Sequence, residues 1–248
     1  MKYIFFLSGD YVGLGEDEIV SLFGIDDYKS IERLIIADLD DKRRVLNNAF
    51  KRLALAKSIY KLLFECKAHD LIETMKDFDW NSVYKDDFCV RLYDFNNDDT
   101  ITKKYINGKN NKNKIKISEK ALAGYIWRSL ENPKVNLENP KTLVQLFITK
   151  NRAYCGVLIY ENREDFESRK AHLRPFPHPS SLHPKVARAL VNLAGAKENE
   201  ILLDPFCGTG GLLIEAGLMK IKVIGYDISK MMADGCIENL KNGKIDIS

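Results

Sequence analysis

Apolar positions near the start of the chain follow two different periods. Residues 2–8, KYIFFLS, and 31–39, IERLIIADL, are rich in aromatic and β-branched residues and predict strands. Residues 14–23 have acids in a first turn and predict a helix, and residues 47–64 have apolar residues three and four apart and predict a longer one. Strand, helix, strand, helix over residues 1–65 predicts a small α/β sandwich.

A second unit is predicted over residues 66–160. Its expected elements are a helix at 70–76, a strand at 87–95, a helix at 119–130 capped by Ser118, and two hairpin strands at 142–148 and 153–160. Trp80 and Trp127 are expected to anchor its core. Arg91 and Tyr93 share one strand face, where pairing within the sheet is the simplest role.

The next segment has a different composition. Residues 161–174 are rich in charged residues, with eight among fourteen, and lead into a cluster of prolines, which predicts a linker at 161–176. A helix at about 185–194, a strand that ends at Asp204, a strand at 223–226 and a helix that starts near Met231 are predicted after it. Residues 177–248 therefore form the start of a third, α/β domain.

Composition narrows the class of protein. Hydrophobic residues make up 45% of the chain and charged residues 29%, and the net charge is +3, as in an ordinary globular protein. The five cysteines are scattered, which favours reduced thiols, and no apolar run approaches the roughly 20 residues of a membrane span. We therefore expect a cytoplasmic protein without a membrane partner. His178 and His183 lack a third ligand at usable spacing, so no metal is expected.

The stretch ILLDPFCGTGGLLIEAG, residues 201–217, has the pattern of a cofactor loop. A buried strand ends at Asp204, Gly208 and Gly210 allow a tight turn, and a helix then begins. A second strand ends at Asp227, 17 residues after Gly210, where a carboxylate can accept hydrogen bonds from ribose hydroxyls. Glycine-rich turns also occur without a ligand, but the two acids in register favour a cofactor.

The identity of that cofactor follows from what the loop lacks. A dehydrogenase fingerprint needs glycine at Leu213, and the lysine and Ser/Thr of a triphosphate-binding loop are missing. An acid at the start of the loop suits a ligand with a positive centre or an amino group. S-adenosylmethionine (SAM) has both, together with a ribose. Cys207 inside the loop is expected to be a packing residue.

These residues resemble a known family. DPFCGTGG at 204–211 and YD at 226–227 look like the cofactor motif and ribose acid of class I SAM-dependent methyltransferases. RPFPHPSSLHPKVARALVNLAG at 174–195 is similar to the entry segment of the RNA guanine-N2 methyltransferases with a THUMP domain, which include archaeal members. FCVRL at 88–92 and residues 133–160 resemble the THUMP module itself.

The resemblance implies a fold and an activity. The implied fold is α/β: a ferredoxin-like domain at 1–65, a THUMP RNA-binding domain at 66–160, and a partial Rossmann-like methyltransferase domain after the linker. The implied activity is methyl transfer from SAM to the exocyclic amine of a guanosine in tRNA, with position 10 the favoured target. The cofactor-binding residues it implies are Asp204, Pro205, Phe206, Gly208, Thr209, Gly210, Asp227, Ser180 and Ser181.

Members of this family also need an [N/D]-P-P-[Y/F] signature, which holds the amine and stacks on the flipped-out base. This chain has seven prolines, and no two are adjacent. Only two strands are identifiable in its methyltransferase part, and two strands are marginal alone. We therefore expect an incomplete domain that transfers no methyl group as given, and no catalytic residue can be named.

RNA-binding candidates cluster at 103–116, KKYINGKNNKNKIK, which contains six lysines and no acid. Clustered cations suit a phosphate backbone, although a solvated loop has the same composition. The candidates are Lys103, Lys104, Lys109, Lys112, Lys114, Lys116, Arg128, Lys150 and Arg152. The family implies that THUMP grips the 3′ end of tRNA, so that the linker sets the distance to the modified base.

Two alternative functions belong to other classes, and a ribosomal RNA target or another guanosine in tRNA also stays open. One is a non-catalytic THUMP RNA-binding protein with a vestigial cofactor fold. The other, a tRNA thiolation enzyme, would need an S-G-G-x-D-S loop, and the only S-G pair is Ser8-Gly9, followed by Asp10. A monomer is the expected state, although nothing in the sequence fixes the oligomeric state.

Overall fold

The computed structural model describes residues 1–39, 43–96 and 117–246. It is a mixed α/β protein, as predicted. In chain order the helices and strands are β1 (Lys2–Leu7), α1 (Val12–Phe23), β2 (Tyr28–Ile31), β3 (Leu34–Asp38), α2 (Arg43–Arg52), β4 (Ala56–Lys67), α3 (Leu71–Asp77), β5 (Phe88–Asp94), α4 (Glu119–Ser129), β6 (Thr142–Ile148), β7 (Arg152–Glu161), α5 (Pro184–Leu193), β8 (Ile201–Asp204), α6 (Gly211–Leu218), β9 (Lys222–Gly225) and α7 (Lys230–Asn242).

The chain divides into two compact units, each made of several segments. One consists of Met1–Phe5, Lys29–Ala37 and Ser58–Glu161, and the other of Phe6–Tyr28, Asp38–Lys57 and Asn162–Ser248. Of the helices described, α3 and α4 belong to the first unit, and α1, α2 and α5–α7 to the second.

The first unit is built on a seven-stranded sheet with the order β2-β3-β1-β4-β7-β6-β5. β5 pairs with β6 in parallel, whereas β6 with β7 and β7 with β4 are antiparallel. α3 and α4 pack on the sheet around buried Trp80, whose indole N–H donates to the Met75 carbonyl at 2.8 Å. Ser118 caps α4 as predicted, accepting the Ala121 N–H at 3.2 Å.

The helix predicted at 47–64 is wrong over most of its length. α2 ends at Arg52, and Ala56–Lys67 form the twelve-residue strand β4. β4 lies in the middle of the sheet between β1 and β7, so the apolar run does not show the alternation of a half-exposed strand. Its pairing with β7, which lies about a hundred residues later, overrides the local helix propensity.

Trp80 is buried as predicted, but Trp127 is not a core anchor. Its side chain is 48% exposed. The buried face of α4 contains Leu122 and Ile126, four residues apart, and the residue after Ile126 is turned about 100° away from that face.

In the second unit, α5 packs against both α1 and α6. Glu18 of α1 is fully buried and accepts hydrogen bonds from the backbone N–H groups of Ala54 and Leu55 at 2.9 Å. The Asn192 amide of α5 donates to the same carboxylate at 2.7 Å. Burial raises the pKa of Glu18, and these hydrogen bonds oppose that shift.

β8 and β9 form a separate two-stranded parallel sheet, as expected from the sequence. Their register pairs Ile201 with Lys222 and Asp204 with Gly225. Both strands therefore end at the same edge of the sheet. No helix among the described residues is long and apolar enough to cross a membrane.

Two glycines of the first unit give a matched stability test. A Cβ atom at Gly156 of β7 would lie 2.7 Å from the Tyr60 Cβ, whereas a Cβ at Gly124 of α4 would meet no atom within 4 Å. We expect Gly156→Ala to cost about 1–3 kcal/mol through overpacking. Gly124→Ala should stabilise α4 by up to about 1 kcal/mol. Denaturant unfolding of both variants checks this, and equal effects would contradict it.

Candidate cofactor site

The ends of β8 and β9 hold the glycine loop between them. The Tyr226 N–H donates to the Asp204 carbonyl at 2.9 Å, and the Cys207 N–H donates to the Tyr226 carbonyl at 2.8 Å. The hydrogen-bonded ladder of the strands thus continues into the loop. Asp204 also accepts the Phe206 N–H through Oδ1 at 3.0 Å, which tightens the first turn.

Asp227 joins the loop to the following helix. Its Oδ2 accepts the Gly208 N–H and its Oδ1 accepts the Ser229 N–H, each at 2.9 Å. Ser229 in turn caps α7 through a hydrogen bond from the Met232 N–H at 3.5 Å. Each carboxylate oxygen keeps a further lone pair, so Asp227 has acceptor capacity left for a ligand.

Glycine is required at Gly208 and Gly210 for different structural reasons. Both have a left-handed backbone, with φ of 51° at Gly208 and 82° at Gly210. A Cβ at Gly208 would be in open space, but a Cβ at Gly210 would lie 2.7 Å from the Cys236 Sγ. Gly210 therefore also allows the close packing of α7 against the loop.

A cavity of about 460 Å³ opens beside the loop. Most of the cofactor residues expected from the sequence meet around it. Its lining is formed by His178, Ser180, Ser181, Leu182, Asp204, Phe206, Cys207, Gly208, Thr209, Gly211, Leu212, Asp227, Ser229 and Met232. Pro205 and Gly210 are not among the lining residues, and Gly210 is buried behind Cys236.

The segment before α5 reaches the loop through hydroxyl groups. Ser181 Oγ and Thr209 Oγ1 are 2.8 Å apart, and His178 Nδ1 lies 2.7 Å from Ser180 Oγ. His183 does not line the cavity; it accepts the Lys185 N–H at the start of α5. The Ser181 side chain thus meets a threonine 28 residues further along the chain.

Ser229 and Met232 also line the cavity, but sequence reasoning did not select them. Ser229 follows Asp227 and precedes a helix, so its capping position was the available signal. Met232 could be placed only once the first turn of α7 was known. Among the described residues, no group of three or more His, Cys, Asp or Glu side chains could hold a metal ion.

Cys207 is a packing residue, as expected. It is 7% exposed and packs with Leu213, Ile214 and Cys236. Burial raises the pKa of the Cys207 thiol, and burial together with Cys207 raises the pKa of Cys236 to about 12. Both sulfurs are therefore protonated thiols at neutral pH, unsuited to nucleophilic attack.

The helix that follows the loop is fixed by buried charges. Glu215 of α6 is fully buried and accepts Nε and Nη2 of Arg169 at 2.8 and 3.2 Å. Arg188 Nη2 of α5 lies 2.9 Å from the same carboxylate. A buried carboxylate between two guanidinium groups is paired on both oxygens. Residue Arg169 of the 161–176 segment is thereby tied to α6.

The RNA-binding candidates are only partly described. Lys103, Lys104, Lys109, Lys112, Lys114 and Lys116 lie outside the described residues. Arg128 lies over the Tyr125 ring at 5.9 Å, and Lys150 is exposed in the turn between β6 and β7. Arg152 pairs with Glu65 at 2.9 Å. Arg91 pairs with Glu119 at 3.4 Å.

Two family models match the chain. The THUMP domain model matches residues 66–158, and the model described as RMKL-like, methyltransferase domain, matches residues 171–247. Together with the glycine loop and its acids, they define the class of the chain: a THUMP-containing methyltransferase.

Curated relatives make the class more specific. The tRNA (guanine(10)-N2)-dimethyltransferase of Methanocaldococcus jannaschii is 35% identical over 95% of this chain and 69% of its own length. The enzymes of the same description from Methanothermobacter thermautotrophicus and Pyrococcus abyssi are 37% and 36% identical over 77% of this chain. The chain belongs to the SAM-dependent tRNA guanine-N2 methyltransferase family. It spans only 53% and 54% of the length of the latter two relatives.

Solved structures share the fold. TrmN from Thermus thermophilus matches with a TM-score of 0.56 and 16% identity, over 98% of this chain and 70% of that chain. SMU.472, a putative methyltransferase complexed with SAH, matches with a TM-score of 0.51 and 13% identity, over 97% of this chain and 71% of that chain.

The different environments of the loop glycines give a test of the loop packing. Gly208→Ala should cost about 1–2 kcal/mol, from its left-handed backbone alone. Gly210→Ala should cost about 1–3 kcal/mol more, because its Cβ would also overlap the Cys236 sulfur. Cys236→Ala should remove most of that excess in the double variant. Hydrogen exchange of the α6 and α7 amides measures the effect; additive costs in the double variant would contradict it.

Proposed function

We propose that this chain provides the tRNA-binding and SAM-binding parts of a tRNA guanine-N2 methyltransferase. The reaction transfers a methyl group from SAM to the exocyclic amine of a guanosine, with position 10 of tRNA the favoured target. The observation that carries the proposal is the meeting of Asp204, Gly208 and Asp227 around one cavity at the ends of two parallel strands. The activity for which the three archaeal relatives are named supports the target.

The residues of the cavity fit a nucleoside with a charged tail. Its volume of about 460 Å³ lies in the range of small-molecule pockets, about 300–1,000 Å³. We assign ribose binding to Asp227. We propose that the backbone of the loop from Asp204 to Gly210 lies close to the bound cofactor. Ser180 and Ser181 are assigned to the carboxylate end of the methionine tail. When bound, SAM supplies the electrophilic methyl group.

The nucleophile needs help that these residues do not supply. The guanine amine is weakly nucleophilic because its lone pair is delocalised into the ring, so its protons must be held and its lone pair aimed. The [N/D]-P-P-[Y/F] signature that does this in the family is missing from the sequence. We therefore propose that residues 1–248 bind SAM and tRNA but do not transfer the methyl group.

tRNA binding is assigned to the THUMP domain, with the 3′ end of tRNA as the part gripped. The lysines of 103–116 together with Arg128 and Lys150 offer positive charge for the phosphate backbone. Arg152 is a weaker candidate because Glu65 already pairs with it. All five cysteines are free thiols, which supports a place in the cytoplasm.

The missing signature also favours a second candidate, a THUMP RNA-binding protein whose cofactor fold is vestigial. The two candidates differ in SAM binding that depends on Asp227. We expect Asp227→Ala to weaken binding of SAM at least about ten-fold, since it removes the hydrogen bonds of a charged acceptor. Asp234→Ala, an exposed acid on α7, is the matched control and should bind as the unaltered chain does. Calorimetry measures both.

If the unaltered chain does not bind SAM, or if Asp227→Ala leaves the affinity for SAM unchanged, the RNA-binding protein with a vestigial cofactor fold is favoured. Because Asp227 also holds the Gly208 amide, the variant must first show an intact α6 by hydrogen exchange.

Methyl transfer is tested directly with labelled SAM and an unmodified tRNA transcript, followed by nucleoside analysis. We expect no N2-methylguanosine with residues 1–248. A chimera that adds the part of the Methanocaldococcus jannaschii relative outside the 69% that this chain matches should produce it, because we expect that part to supply the group that holds the amine. Product formed by residues 1–248 alone would show that the amine is held by residues we have not identified. A chimera that folds but forms no N2-methylguanosine would argue against the proposed methyltransferase function.

A further inference from the structure

A second hollow lies in the first unit, between α4 and the edge strand β5. It has a volume of about 500 Å³. Its floor is formed by buried residues of β5, and its walls by α4 and the segment that precedes β6. The lining residues are Phe88, Cys89, Val90, Arg91, Glu119, Lys120, Ala123, Gly124, Trp127, Val135 and Leu137.

Three of the apolar side chains that line the hollow are exposed. Trp127 is 48% exposed, Val135 49% and Leu137 63%. Their side chains are separated in sequence but line one concave surface, so they form a contiguous patch and not scattered surface residues. Contiguous exposed apolar patches with a polar rim mark binding sites. An exposed indole beside an apolar floor offers a flat face on which a ring can stack.

The charged residues around the hollow indicate which class of ligand it can bind. Among the described residues that line the hollow, Arg91 and Lys120 are basic and only Glu119 is acidic. Glu119 and Arg91 pair with each other at 3.4 Å, and Glu119 also accepts the Leu92 N–H at 3.0 Å, so their charges offset each other and Lys120 supplies the remaining positive charge. Lys120 is exposed on α4. An aromatic platform beside a cation suits an unpaired nucleotide, whose base stacks while its phosphate meets the cation.

We propose that this hollow binds an unpaired nucleotide of the RNA, with Trp127 as the stacking platform and Lys120 near the phosphate. The inference rests on the proposed function, since it names a nucleotide subsite within the tRNA-binding domain. Arg91 is a positioning residue there: it holds Glu119 and donates to the Leu137 carbonyl at 2.8 Å, which fixes one wall of the hollow.

The probes for the test are a ten-nucleotide single-stranded RNA, a blunt duplex of the same sequence, and a tRNA transcript. Trp127→Ala should weaken binding of the single strand at least about five-fold, and binding of the duplex less than two-fold, because only an unpaired base can stack. Trp127→Phe should restore most of the affinity, because it keeps an aromatic face. Leu173→Ala is the matched control, an exposed apolar side chain outside this unit.

Gly124→Leu tests the hollow without removing the tryptophan. A Cβ at Gly124 meets no atom within 4 Å, so the variant should fold and fill the space that the base needs. It should weaken single-strand binding as Trp127→Ala does. Because Trp80 is buried and Trp127 is exposed, the single strand should also quench the exposed component of the tryptophan fluorescence in the unaltered chain.

Unchanged single-strand and tRNA affinity in both variants would overturn the inference while leaving tRNA binding intact. Quenching of Trp127 by an amphipathic peptide but not by RNA would also overturn it and would identify a protein-docking surface. If the unaltered chain binds none of the three RNAs, the proposed tRNA binding fails and the inference fails with it.

Discussion

The geometry of the candidate cofactor site depends on the hydrogen bonds that the Asp227 carboxylate accepts. It accepts one N–H from the glycine loop and one from the residue that caps α7, so a single side chain fixes two segments at the end of β9. The Asp204 carboxylate at the end of β8 accepts the Phe206 N–H and so fixes the first turn of the loop. Since the strands are parallel and in register, both acids reach the same edge of the sheet. A loop with two left-handed glycines keeps one shape because these acceptors hold its amides.

Buried charges extend this rigidity to the helices of the second unit. Glu215 holds α6 to α5 through Arg188 and to the 161–176 segment through Arg169. Glu18 of α1 accepts the Asn192 amide of α5 in the same way. Removing Arg169 or Arg188 would leave the buried Glu215 carboxylate short of a partner, so these contacts favour one arrangement of the helices. The glycine loop is thus built onto a helix layer that includes segments from the start of the chain.

Prediction from sequence succeeded where the structure is local. The elements from β8 to α7, the cap of α4 and the β6–β7 hairpin all follow from periodicity, turn residues and capping residues within a few positions. It failed at β4, whose apolar run fits a helix as well as a strand. It also failed at Trp127, although the spacing of Leu122 and Ile126 already placed that residue off the buried face of α4. The lysines of 103–116 remain a prediction.

The sequence by itself determined the arrangement of the glycine loop, because strand, glycines, helix and acids lie within about thirty consecutive residues and local hydrogen bonds define their geometry. Only the tertiary structure decided what surrounds that loop. Ser181 meets Thr209, Arg169 meets Glu215, and β4 pairs with β7, each across a separation in sequence that no local pattern encodes. Such contacts depend on which apolar faces are buried together, and that choice is made by the packing of the whole unit.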